Sequence, residues 1–242
     1  MDNYFTLVEK DYNTDEIFDI LSKSEIDDFE KIFAIININS KEKLSKNDFK
    51  IFINHLTNQP TPIREITALK LEEAAKFNKE NFLDDFSISK ILDGIIDINP
   101  NISRAVCNII SINPHLKLVL EDKIIVKIEN LIAEIKKYEE ENKDFFDSHI
   151  RNTKNHAKNK KLFALYWLLE ALSICISEKN REKILKIITY TINFKDYTIR
   201  EKTAKILHSI QNPPTDLVNK IKEDVNFYVK NQVYDNIEDE ID

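Results

Sequence analysis

The chain has 242 residues, a formal net charge of −7, one glycine and six prolines. So little glycine excludes a turn-rich β-sandwich and a doubly wound α/β fold. The acidic balance argues against a general nucleic-acid coat or a polybasic membrane binder. Abundant Leu, Lys and Glu, with Ile at helical rather than alternating spacing, predict an all-α chain.

Residues 1–23 read as an N-terminal lead and cap, and the first thirty positions hold ten acids against Lys10 and Lys23. Ser24 is placed to cap a helix over 25–38, whose Ile26, Phe29, Phe33 and Ile36 form one apolar stripe. Ser45 precedes a helix over 46–57, and Pro60 and Pro62 open another over 63–77. Pro suits a first helical turn but costs about 3 kcal/mol in a helix interior. Helices over 80–98 and 101–112 follow, and the Asn113-Pro114 step forces a break before a long helix over 115–142. The segment 159–177 is apolar nearly all round, as in a helix buried on most sides. Segments 181–193, 197–210 and 214–232 bring the total to about ten helices, ahead of an acidic tail over 233–242. Cys107 and Cys175 lie inside apolar patterns and read as buried fillers, not as a disulfide or zinc site. With no basic and apolar leader at the start and no run of 18 uncharged apolar residues, a cytoplasmic protein is expected.

Four segments echo one another: Pro62-Ile63-Arg64-Glu65, Asn101-Ile102-Ser103-Arg104, Asn159-Lys160-Lys161-Leu162 and Thr198-Ile199-Arg200-Glu201. Their basic anchors, Arg64, Arg104, Lys160 and Arg200, are followed one turn later by Ala68, Asn108, Ala164 and Ala204. A period of about 40 residues in a helical chain signals stacked helix pairs, because short antiparallel helices bury their stripes only when pair stacks on pair. The chain therefore reads as a single domain over 1–242, a right-handed α-α superhelix. The wider interval between Arg104 and Lys160 locates an inserted loop at 139–158.

The units running from Ile91 to Arg104 and from Ile184 to Arg200 resemble HEAT repeats. Each has an apolar helix, a turn with Asp or Pro, then an apolar residue and Arg opening a second helix. The resemblance covers roughly 24–232. It implies an armadillo-like α-solenoid with an Asp–Arg ladder between neighbouring repeats, incomplete here because the turn Asp is irregular and Lys160 and Asn108 depart from the pattern. It also implies a choice of function. Most simply, such a chain is a non-catalytic scaffold that binds a protein or peptide on its concave face, with no cofactor. Some HEAT-like proteins are alkylpurine DNA glycosylases, which makes a nucleic-acid enzyme the alternative. Those gather Trp and Asp on a basic face, whereas the single Trp167 here sits in a core-like run of an acidic chain.

Several residue groups invite a chemical reading. Asp144, Asp147, His149 and His156 fall in the insertion, but their irregular spacing in a polar stretch points to surface rather than to a metal site. Phe163, Tyr166 and Trp167, with Phe145 and Phe146 nearby, have the spacing of core packing as much as of a pocket. His55, His115 and His208 belong to no constellation, and no phosphate loop or nucleophile motif is present. The span 143–161 carries six basic residues against two acids. Coincidence of extra length with reversed charge singles out Arg151, Lys154 and Lys158 as a contact for an acidic partner, or for the acidic tail of a second copy.

Overall fold

The structure, a computed structural model, describes residues 12–141 and 148–234, with side chains for 12–141 and 156–232. Among the described residues it is all-helical, with twelve α-helices and no strand. These are α1 (Thr14–Ser22), α2 (Asp28–Ile36), α3 (Lys46–Asn54), α4 (Thr61–Ala74), α5 (Asp85–Ile95), α6 (Pro100–Ser111), α7 (Pro114–Glu141), α8 (Ser148–Cys175), α9 (Arg181–Thr191), α10 (Tyr197–His208), α11 (Thr215–Lys222) and α12 (Phe227–Tyr234). Short 3-10 turns at Lys79–Phe82 and Glu178–Asn180 precede α5 and α9.

Side chains that accept from the free N–H groups of the first turn set many of the helix starts. Ser45 caps α3 as expected, accepting from Asp48 N at 3.1 Å. Asp27 rather than Ser24 caps α2, because its carboxylate reaches Phe29 N at 2.8 Å. Two further differences from the sequence reading have clear causes. The expected helix over 214–232 is broken into α11 and α12 at Asp224-Val225-Asn226, where both polar side chains are spent on a corner described below. The expected loop over 139–158 is helical at 139–141 and 148–158, leaving 142–147 outside the described residues. The additional length goes into two helices of 28 residues each, α7 and α8, instead of into a loop.

Close packing divides the chain into two compact units, 1–117 and 118–242, with the division inside α7. In the first unit α1, α3 and α5 pack in succession, as do α2, α4 and α6, and α1 packs on α2, α3 on α4 and α5 on α6. Such alternation makes two layers of helices with the apolar core between them. Phe49, Phe52, Leu56, Phe82, Ile91 and Ile102 are completely buried there. Phe49 and Phe82 meet edge to face, with ring centroids 4.7 Å apart. The only glycine, Gly94, lies on α5 where a Cβ would come within 2.9 Å of Val106 Cγ2 and 3.1 Å of Leu56 Cδ2. Close approach of three elements, rather than backbone freedom, demands glycine there.

In the second unit α8 packs on α10 and α10 on α12, while α9 packs against α10, and α11 packs against α10 and α12. Leu165, Leu169, Leu172, Ile184, Ile199 and Ile206 form its buried centre.

Candidate functional site

Repeat anchors are located by what each helix buries. Ile63, Ile102 and Ile199 are 0% exposed near the starts of α4, α6 and α10, and Val229 is 0% exposed at the same place in α12. The residue after each isoleucine is Arg64, Ser103 or Arg200. Arg64 donates from Nε to Asp97 Oδ2 at 2.8 Å and from Nη2 to Oδ1 at 3.1 Å, and its Nη1 reaches the Gln59 carbonyl at 2.5 Å. Arg200 repeats this on Asp224 at 2.6 and 3.0 Å, with Nη1 on the Phe194 carbonyl at 2.7 Å. Planar guanidinium suits a paired contact of this kind.

The two aspartates stand in corresponding corners, Asp97-Ile98-Asn99 and Asp224-Val225-Asn226. Each Asp also accepts from the N–H of the Asn two residues on, at 2.9 and 2.8 Å. Each Asn in turn accepts from a backbone N–H two residues further, at 2.9 Å in both cases. Burial tends to raise the Asp224 carboxyl, but Arg200 and the Asn226 N–H outweigh it and hold it below the usual range.

Arg104 and Lys160 are not anchors. Ser103 takes the anchor position in α6, its hydroxyl donating to the Asp97 carbonyl at 3.1 Å. Arg104 falls one residue beyond the buried phase, and it is exposed with no hydrogen-bond or ion-pair partner among the described residues. Lys160 is likewise exposed on α8, whose neighbours Lys158 and Lys161 make the contacts.

Beyond the corners the two units use different polar chemistry. In the first, Asn78 accepts from Leu44 N at 2.8 Å and donates to the Glu42 carbonyl at 3.1 Å, Asn81 donates to the Leu44 carbonyl at 3.1 Å, and Asn113 donates to the Lys79 carbonyl at 2.9 Å. His55 is buried in the same unit, with Nε2 donating to the Leu21 carbonyl at 3.0 Å. In the second unit Glu121, 2% exposed, accepts from Ser177 N at 2.6 Å and Asn180 Nδ2 at 3.0 Å, and Asp122 accepts from Lys179 at 2.7 Å. Glu170 on α8 is held by Lys205 at 2.6 Å and Lys202 at 2.9 Å, both from α10. Burial works to raise the Glu170 carboxyl, yet these two lysines bring it below its ordinary value.

The long α7–α8 pair builds the candidate site. Lys158 pairs with Glu139 at 2.6 Å, and Lys161 pairs with Glu134, so these cations of the insertion are turned onto α7. Lys158 therefore does not project as a free contact. Arg151 and Lys154 lie on the helical backbone of α8, outside the residues whose side chains are described. Between the far ends of this pair and the α9–α10 turn lies a half-open cleft of about 450 Å³. Leu162, Tyr190 and Phe194 give it an apolar floor, and Glu139, Lys158, Asn159, Lys195 and Asp196 line its rim. Tyr190 and Phe194 pack edge to face at 5.3 Å, with Lys136 Nζ 4.0 Å from the Tyr190 ring centre. Burial, together with Glu139, raises the Tyr190 hydroxyl above its ordinary value. Nothing in the sequence reading pointed to this floor, although Tyr190 and Phe194 stand one turn apart at the end of an apolar helix.

The remaining candidates are dispersed. Trp167 is 7% exposed and packs edge to face with Tyr166 at 5.3 Å and Phe163 at 6.3 Å. Asp144, Phe145, Phe146 and Asp147 fall outside the described residues, His149 is described by its backbone alone, and His156 is exposed. Among the described residues no group of His, Cys, Asp and Glu could hold a metal ion, and no helix is long and apolar enough to cross a membrane. Cys107 and Cys175 are buried and form no disulfide among the described residues.

No family model matches the chain, and no curated protein does. Among solved structures it resembles an engineered protein, a Northeast Structural Genomics Consortium target, at 11% identity and a TM-score of 0.43, over 90% of this chain and 93% of that one. A likeness of that size carries no argument about fold or activity.

Proposed function

We propose that the chain is a HEAT-type scaffold, a right-handed superhelix of helix pairs that works in the cytoplasm by holding a peptide segment of another protein and catalyses no reaction. Support for the architecture comes from the alternate packing of helices within each unit and from the repeated Arg–Asp corner. The cleft beside α7 and α8 carries the binding reading. Its aromatic floor, its amide and charged rim and its half-open form suit a side chain of a peptide inserted between polar walls. Extended binding surfaces are also what stacked helix pairs characteristically provide.

Selection of peptides from a random display library on the full chain tests this reading. Selected peptides should bind, and Tyr190→Ala should weaken them about tenfold, the consequence of losing about 1.4 kcal/mol of contact. Failure to select any peptide, or binding indifferent to Tyr190→Ala and Phe194→Ala alike, would overturn it.

A further inference from the structure

The rim of the cleft has an uneven distribution of committed charge. Glu139 is neutralised by Lys158 at 2.6 Å, and Asp196 accepts from Thr198 N at 2.9 Å and from the Thr198 hydroxyl at 2.8 Å in capping α10. The Lys195 ammonium has no hydrogen-bond or ion-pair partner among the described residues, and Lys136, which does not line the cleft, lies over the Tyr190 ring beside it, with no ion-pair partner among the described residues. Two cations thus stand in or beside the cleft with no ion-pair partner among the described residues. The occupant that fits is an acidic segment carrying an aliphatic side chain.

This chain contains such a segment immediately after α12. Residues 235–242 hold Asp235, Glu238, Asp239, Glu240 and Asp242, with Ile237 and Ile241 four apart among them. Following Tyr234, eight residues span up to about 28 Å when extended. We propose that segment 235–242 occupies the cleft, its acids against Lys136 and Lys195 and an isoleucine on Tyr190, Phe194 and Leu162. The proposal rests on the peptide-binding reading above and adds to it a self-derived competitor: any partner peptide must displace the chain's own segment.

Two full-length proteins test it, the native chain and a variant with Glu238→Gln, Asp239→Asn and Glu240→Gln. A fluorescein-labelled peptide of sequence 235–242 is titrated into each and read by anisotropy. The peptide should bind the variant at least threefold more tightly than the native chain, whose own segment competes. Binding to the variant should fall at least fivefold on adding Lys195→Glu, and should weaken between 50 and 500 mM salt, over which the screening length drops from about 14 to about 4 Å. Lys195 is exposed and has no side-chain partner among the described residues, so unchanged circular dichroism of the Lys195→Glu protein excludes misfolding as the cause. If library-selected peptides bind through Tyr190 but the 235–242 peptide does not, or binds both proteins equally, the proposal is overturned and the peptide-binding reading stands. If neither kind of peptide binds, both fall.

Discussion

In the unit up to Lys117, buried Asn78, Asn81 and Asn113 tie one turn to the next through backbone groups. In the unit from Leu118, Glu121 and Asp122 hold the turn before α9, and Glu170 with its two lysines joins α8 to α10. Both units use the same Arg–Asp corner, so the difference lies in what surrounds it. Amides satisfy buried backbone at every pH, whereas carboxylates do so only while ionised. These turn contacts therefore depend on carboxylate ionisation in the second unit and not in the first, where the protonation-sensitive groups are His55 and the corner itself.

The largest effect should come from the apolar core that both units share. Phe49→Ala removes a fully buried ring from the contact with Phe82 and should cost about 3–5 kcal/mol in urea denaturation. A loss under 1 kcal/mol would mean the first unit is not packed as described. Breaking a corner comes next. Arg64→Ala and Arg200→Ala each strand a carboxylate that is at most 11% exposed, and each should cost about 3 kcal/mol. Equal losses would sharpen the equivalence of the corners, and a large inequality would break it. Gly94→Ala should cost about 1 kcal/mol, because overpacking against Val106 exceeds the gain in helix propensity.

Acid separates the units. Burial lowers the His55 imidazole, against an opposing hydrogen bond to Leu21 and with help from Lys31 and Lys90. A depressed folded-state value means the unfolded chain takes up the proton first, so stability is lost as pH falls below about 6.5. The first unit should weaken there. Glu170 and Asp224 are also depressed, so their contribution is complete above the ordinary carboxylate range and disappears as pH falls through and below it, near pH 4 and lower. The second unit should then give way. Hydrogen exchange corrected for intrinsic rate reports the first step, and Trp167 fluorescence reports the second. A single transition shared by both probes would contradict the separation, and His55→Phe should remove the upper step if it is correctly assigned. The smallest effect belongs to Lys158→Ser, where the exposed pair with Glu139 should contribute no more than about 0.5 kcal/mol.

The helical class and most helix starts were legible because Pro and Ser mark helix boundaries by local chemistry alone. Arg64 and Arg200 stood out by recurring after an apolar residue near a helix start, and each is found on an aspartate that the spacing did not name. Reading Arg104 as the third anchor followed charge instead of burial, and Ser103, one residue earlier, is the side chain in phase. The insertion misled because a charged, polar stretch looks like a loop until its cations find acids on a neighbouring helix, as Lys158 and Lys161 do with Glu139 and Glu134. Glu121 was equally hidden. An acid inside an apolar helix declares a buried partner, but only the fold brings Ser177 and Asn180 to it. The cleft arises from where two 28-residue helices end relative to the α9–α10 turn, a relation no local pattern encodes.

The corner built on Asp97 and again on Asp224 leaves nothing owing to whatever comes after its helix. Its carboxylate is satisfied by an arginine from the helix before the preceding one and by the backbone two residues on, and its asparagine oxygen by the first turn it opens. A joint whose polar groups are paired within itself and with one arginine leaves the rest of the flanking helices free to change in sequence without stranding a buried charge.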